Sequence, residues 1–123
     1  QGAYAWRKLM DAGALIANGS DFPVESPNPF FGLHASITRQ DKGNDPVGGW
    51  YPEERMTDSE AFASFTLDAA YSGFQESLLG SLEPGKKADF IVLDRDIFAI
   101  PDSEIWQAKA LETWVNGTQV HGE

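Results

Sequence analysis

Asp21 is the side chain whose setting most suggests chemistry. It ends the run Ala14-Leu15-Ile16-Ala17-Asn18-Gly19-Ser20-Asp21, whose first four residues are apolar without alternation. A short continuous apolar run between turn signals reads as a strand covered on both faces, as in parallel α/β sheets. A carboxylate just past the C-terminal end of such a strand lies where α/β barrels assemble their sites. Its oxygens only accept, so it can ligate a metal ion or take a proton from metal-bound water. The competing reading is a turn cap, with the carboxylate accepting a backbone N–H. Gly19-Ser20-Asp21 alone favours the cap, because motifs this short often match by chance.

Other candidates are weaker. His34 falls on a helix beginning at Pro29, close to its apolar stripe, and either lines a pocket mouth or is simply packed. Arg39, at that helix's end, is either a partner for a substrate carboxylate or a solvated cation that favours the helix dipole. Gly48-Gly49-Trp50-Tyr51-Pro52 reads as an aromatic lid or, by preference, an anchor for its own loop. Lys86-Lys87 is a solvated surface, and His121, in the last hairpin, has no assigned role. No HxH, HExxH or paired-carboxylate spacing occurs, so the chain cannot build a metal site alone. Ser20 lacks the Gly-x-Ser-x-Gly elbow of a nucleophilic serine.

The elements that must carry these residues follow from local signals. Tyr4 to Met10 reads as the end of an amphipathic helix stopped by Gly13. Three prolines forbid regular structure between Phe22 and Pro29, and Asn28-Pro29 then starts a helix with the stripe Phe30, Leu33, Ile37. Residues 42–52 form a polar loop. Thr57-Asp58-Ser59-Glu60 is a capping box, and the helix behind it is expected to bury Phe62, Phe65, Thr66 and Ala69 before Gly73 ends it. From Gly80 the texture becomes β: a type II turn at Pro84-Gly85, a strand over Phe90–Leu93 and a short helix near Pro101–Trp106. A half-exposed strand through Leu111, Thr113 and Val115 then turns at Asn116-Gly117 into a hairpin.

Composition narrows the partners. Nineteen Asp+Glu against nine Lys+Arg give a formal net charge of −10, which disfavours nucleic acid and anionic membranes. The absence of cysteine excludes disulfides, thiolate ligands and cysteine nucleophiles. No apolar stretch approaches the roughly 20 residues that cross a bilayer. The compartment stays open, the cytoplasm being favoured.

Five stretches carry a family resemblance. Gly80-Ser-Leu-Glu-Pro-Gly-Lys-Lys-Ala-Asp-Phe-Ile-Val-Leu-Asp94 resembles the C-terminal return segment of the amidohydrolase superfamily, and Thr113-Trp-Val-Asn-Gly-Thr-Gln-Val120 resembles its closing hairpin. Asn18-Gly-Ser-Asp-Phe-Pro-Val-Glu25 is similar to the end of the family's eighth barrel strand. With Leu33-His-Ala-Ser-Ile-Thr-Arg39 and Pro52-Glu-Glu-Arg-Met-Thr57 it is most similar to the amidohydrolase-3 subgroup, which includes N-substituted formamide deformylases. The resemblance implies an α/β plus β fold: the last units of a (β/α)₈ barrel over residues 1–77, then part of a composite β-sandwich over residues 78–123. It implies that Asp21 ligates a divalent metal, zinc by preference, and acts as base, which reverses the odds on that residue. The family's other ligands have no counterpart here, and His34 and His121 match none of them.

The expectation is therefore the C-terminal part of a metal-dependent enzyme that cleaves a non-peptide C–N bond in a small amide-type substrate. His34 and Arg39 are its secondary substrate-site candidates. The chain itself is expected to be an inactive, metal-free fragment prone to self-association, from a protein expected to be homo-oligomeric. The alternative is a non-catalytic β-rich binding or assembly module presenting Trp50, Trp106 and Trp114.

Overall fold

The structure, a computed structural model, describes residues 3–122. Helices α1 (Trp6–Asp11), α2 (Pro29–Thr38), α3 (Asp58–Ser64) and α4 (Leu67–Ser72) precede strands β1 (Phe90–Leu93), β2 (Ala110–Val115) and β3 (Thr118–His121). Two 3₁₀ segments, Pro52–Glu54 and Asp102–Gln107, lie between them.

Helix α2 is the axis of the packing. Its N-cap is Asn28, whose side chain accepts from the Phe30 N–H at 3.0 Å, and Pro29 occupies the first turn, where a missing N–H costs nothing. The helix stops at Arg39, which turns left-handed at φ 61°. Phe30, Leu33 and Ile37 form the expected buried stripe. They share one core with Met56, Ala61, Ile97, Ile105 and Ala108. The segment 97–108 therefore packs onto the helices rather than onto the sheet alone, with Asp102–Gln107 lying against α2.

The capping box at α3 forms in both directions: Glu60 N–H donates to Thr57 Oγ1, and Thr57 N–H donates to Glu60 Oε2 at 2.8 Å. The helix is not continuous, however. It breaks at Thr66 (φ −127°, ψ −91°), where the hydroxyl donates to the Phe62 carbonyl at 2.8 Å. Such back-bonding competes with the helical ladder and bends it. The buried face is Ala61 and Ser64, with Phe65 and Ala69 half-buried and Phe62 exposed.

The expected strand over Ala14–Ala17 does not form. Ala14–Ser20 joins no ladder, Leu15 is 61% exposed, and Asp21 sits in an exposed turn with φ 51°. A covered parallel strand needs neighbours. The described strands instead pair with one another, antiparallel in the order β1-β2-β3. That sheet follows its local signals. Asn116 and Gly117 take φ 50° and 75°, the two left-handed positions of a type I′ hairpin, and Val115 faces Thr118 across it. Upstream, Gly85 at φ 97° and a Lys86 N–H to Glu83 carbonyl bond of 3.1 Å make the Pro84-Gly85 turn.

Candidate active site

A groove of about 580 Å³ runs beside α2, with Ser20, Glu25, Phe31, His34, Lys42 and Phe65 among its walls. The Asp21 turn borders it, since residues on either side of the turn, Ser20 and Glu25, both line it. The turn is closed by the Asp21 carbonyl, which accepts from the Val24 N–H at 2.8 Å. The carboxylate takes no part in that closure. A main-chain turn thus presents an exposed acid at the edge of a largely apolar trough, a different means of presentation from the expected strand end.

Asn18 holds the near end of this turn. Its N–H donates to the Ser64 carbonyl at 2.9 Å, and its side-chain amide donates to Ser64 Oγ at 2.9 Å and Ser36 Oγ at 3.4 Å. Ser36 and Ser64 are both buried. Sequence reasoning missed this trio. The only signal was a small polar residue on the packed face of each helix.

His34 is 1% exposed, and its Nε2 lies 3.0 Å from Asn44 Oδ1, to which it donates. Asn44 donates in turn to the Ser103 carbonyl at 3.4 Å. His34 is therefore both packed and groove-lining, and it pins the loop after α2 towards the 97–108 segment.

Arg39 is not the solvated cation expected of a helix end. It is 6% exposed, with Nε donating to the Trp50 carbonyl at 3.0 Å and Nη1 to the Tyr4 carbonyl at 3.2 Å. Its guanidinium carbon lies 4.4 Å from the Trp6 ring centre and 4.9 Å from that of Trp50, within cation–π range. Burial lowers its pKa from the ordinary value, because desolvation penalises the charged form. Arg39 thus staples the chain before α1 to the loop after α2. It lines a separate, shallower recess with Tyr4, Trp6, Ala35 and Trp50. Trp50 serves as the loop anchor expected of it, its N–H donating to the Arg39 carbonyl at 2.8 Å.

The tryptophans do not act as one surface. Trp50 packs on Tyr4 and Tyr51, Trp106 lies near Phe31, and Trp114 stacks on Phe90 at 5.5 Å. Ion pairs complete the frame around α2. Lys8 Nζ meets Glu54 at 2.6 Å, and this hydrogen bond lowers the Glu54 pKa. Arg7 pairs with Glu60 and, chiefly by hydrogen bonding, holds its carboxyl down at about 2.

The amidohydrolase family's sequence profile matches residues 1–121. The chain belongs to the amidohydrolase family. It is 34% identical to Protein LONG AFTER FAR-RED 3 of Arabidopsis thaliana, over 97% of this chain and 20% of that protein. It is 31% identical to the N-substituted formamide deformylase of Arthrobacter pascens, over 90% of this chain and 20% of that enzyme. The fold resembles the crystal structure of an amidohydrolase from Thermotoga maritima MSB8, with a TM-score of 0.68 and 22% identity, over 98% of this chain and 26% of that one. The chain thus spans about a fifth of the length of these curated relatives.

Among the described residues no three His, Cys, Asp or Glu side chains gather as a metal centre would require. Nor is any described helix long and apolar enough to cross a membrane.

Proposed function

We propose that this chain supplies the proton-transferring carboxylate, Asp21, of an enzyme that hydrolyses a non-peptide C–N bond in a small amide-type molecule. The observation that carries the reading is the family match running through the Asp21 segment. The named activity of the Arthrobacter pascens relative supports the bond type. The groove supports the substrate's size, since about 580 Å³ suits a small organic molecule.

Asp21 accepts a proton from the attacking water as its oxygen bonds to the carbonyl carbon. It then returns that proton to the nitrogen as the C–N bond breaks, releasing an amine and a carboxylic acid. The exposed turn suits this exchange, because a free carboxylate can meet both water and leaving group. Phe31 and Phe65 offer apolar contact for the substrate's body, while buried His34 gives the groove wall its shape. A divalent metal, zinc by expectation, would activate water by lowering its pKa. The described residues do not form its site, so its remaining ligands must come from elsewhere in the enzyme.

The domain reading divides the chain into a barrel part, residues 1–77, and a sandwich part, residues 78–123. By itself the chain is inactive, and it self-associates through exposed apolar residues of its barrel part, among them Leu15 and Phe22. Strictly monomeric behaviour in sedimentation would contradict the self-association. The reading as a whole is tested by Asp21→Asn in the complete enzyme, assayed on an amide, formamide and imide panel. Turnover should fall by about 10²- to 10⁴-fold. Near-wild-type turnover would remove Asp21 from the mechanism.

A further inference from the structure

We infer that Asn18 is a positioning residue that holds the Asp21 turn in register with the groove, an inference that rests on the role proposed for Asp21. Among the described residues, none pairs with residues 14–20 in a ladder. From Leu15 to Ser20, the main-chain donor engaged with a helix is Asn18 N–H, on the Ser64 carbonyl. The loop that follows is held at two ends, by Asn18 on the buried serines and by Asn28 capping α2. Asp21 lies three residues past the first of these anchors.

The polarity of the tether is fixed. Ser64 Oγ donates its proton to the Ala61 carbonyl at 2.6 Å, and Ser36 Oγ donates to the Gly32 carbonyl at 2.8 Å. Both hydroxyls have therefore spent their only protons on their own helices and turn lone pairs to Asn18. Only a donor satisfies them. The amide does so, bridging α2 and α3 through one side chain, with Met56 Sδ at 3.9 Å beside it. A carboxylate of the same size would set acceptor against acceptor in a buried place, and the turn would shift. Displacements of about 1 Å at a reacting group can cost about a hundredfold in rate.

The test is Asn18→Asp in the complete enzyme, beside Ser64→Ala, Thr57→Ala and Asp21→Asn. Thr57→Ala loosens α3 through its cap yet leaves the tether whole. Asn18→Asp should lower kcat by about tenfold to a hundredfold with KM nearly unchanged. Ser64→Ala should lower it by a smaller factor in the same pattern, and Thr57→Ala should leave kcat at wild type. Should Asn18→Asp fail to fold, the Ser64→Ala split between kcat and KM decides. Wild-type kcat in both tether variants, with Asp21→Asn inactive, would overturn this inference alone, as would an equal loss in Thr57→Ala. Full turnover in Asp21→Asn would overturn the reading of Asp21 and this inference with it.

Discussion

The sheet and the Ala14–Asp21 segment are both short and apolar, but they are held by different means. β2 finds both of its partners nearby in the chain, and the Asn116-Gly117 turn sets one register, its N–H groups donating to Asp89 Oδ1 at 2.7 Å and the Ala88 carbonyl at 3.0 Å. The sheet keeps its shape while Leu111, Val115 and Val120 stay about half exposed or more. Ala14–Ser20 pairs in no ladder with the described residues and is placed by Ile16 against the core, by the Asn18 N–H on the Ser64 carbonyl and by the Asn18 amide on two buried serines. Backbone pairing can sustain an element whose faces are bare. An element without it takes its position from whatever its neighbours offer, and here those neighbours are helices α2 and α3.

The contrast is broken or sharpened first at the shared core. Ile105, 2% exposed, belongs to the segment that joins the two regions, and Ile105→Ala should cost about 3 kcal/mol in denaturant titration. Val120→Ala, at 61% exposure on β3, should cost less than about 0.5 kcal/mol. Equal costs would mean that the sheet's apolar face is buried in solution.

Gly80, where the helices hand over to the β region, comes next. It adopts φ 89°, and a Cβ there would lie 2.9 Å from both Ala70 Cβ and Leu67 Cα. Gly80→Ala should destabilise by about 2 kcal/mol in thermal melts. Thr57→Ala removes half of the capping box and should cost about 1 kcal/mol, without altering the hairpin.

A further small effect is a pH dependence confined to the helical side. The Glu60 carboxyl is held by Arg7 at about 2, against an ordinary 4.5. A depressed pKa contributes stability above the unfolded value, and that contribution disappears as pH falls through the folded value. The stability difference between wild type and Glu60→Gln should therefore be full above about 4.5 and shrink towards pH 2. Both partners are about a quarter exposed, so solvent screening keeps the difference under about 1 kcal/mol. A difference that is flat across this range would remove the ion pair from the frame.

What could be read in advance follows the same division. Asn28-Pro29, Thr57 with Glu60, Pro84-Gly85 and Asn116-Gly117 each encode a conformation within a few residues, and each appears as read. Ala14–Ala17 carries a strand's composition, but strand formation is a property of pairs. The α3–α4 break turns on one hydroxyl, that of Thr66, choosing a carbonyl. Arg39 looked solvated because Trp6 and Trp50, which enclose it, lie far away in sequence. At the candidate site Gly19-Ser20-Asp21 alone reads as a cap, and Asp21 is favoured as a candidate only through the family resemblance. Asn18, Ser36 and Ser64 come together only through packing.

The central claim is that Asp21 exchanges the proton in hydrolysis, and kcat of Asp21→Asn beside Asp21→Glu tests it most directly. For the complete enzyme on its best amide-type substrate, the account predicts that Asp21→Asn loses about 10²- to 10⁴-fold while Asp21→Glu, which keeps a proton acceptor, loses less. An undiminished rate in Asp21→Asn would contradict it.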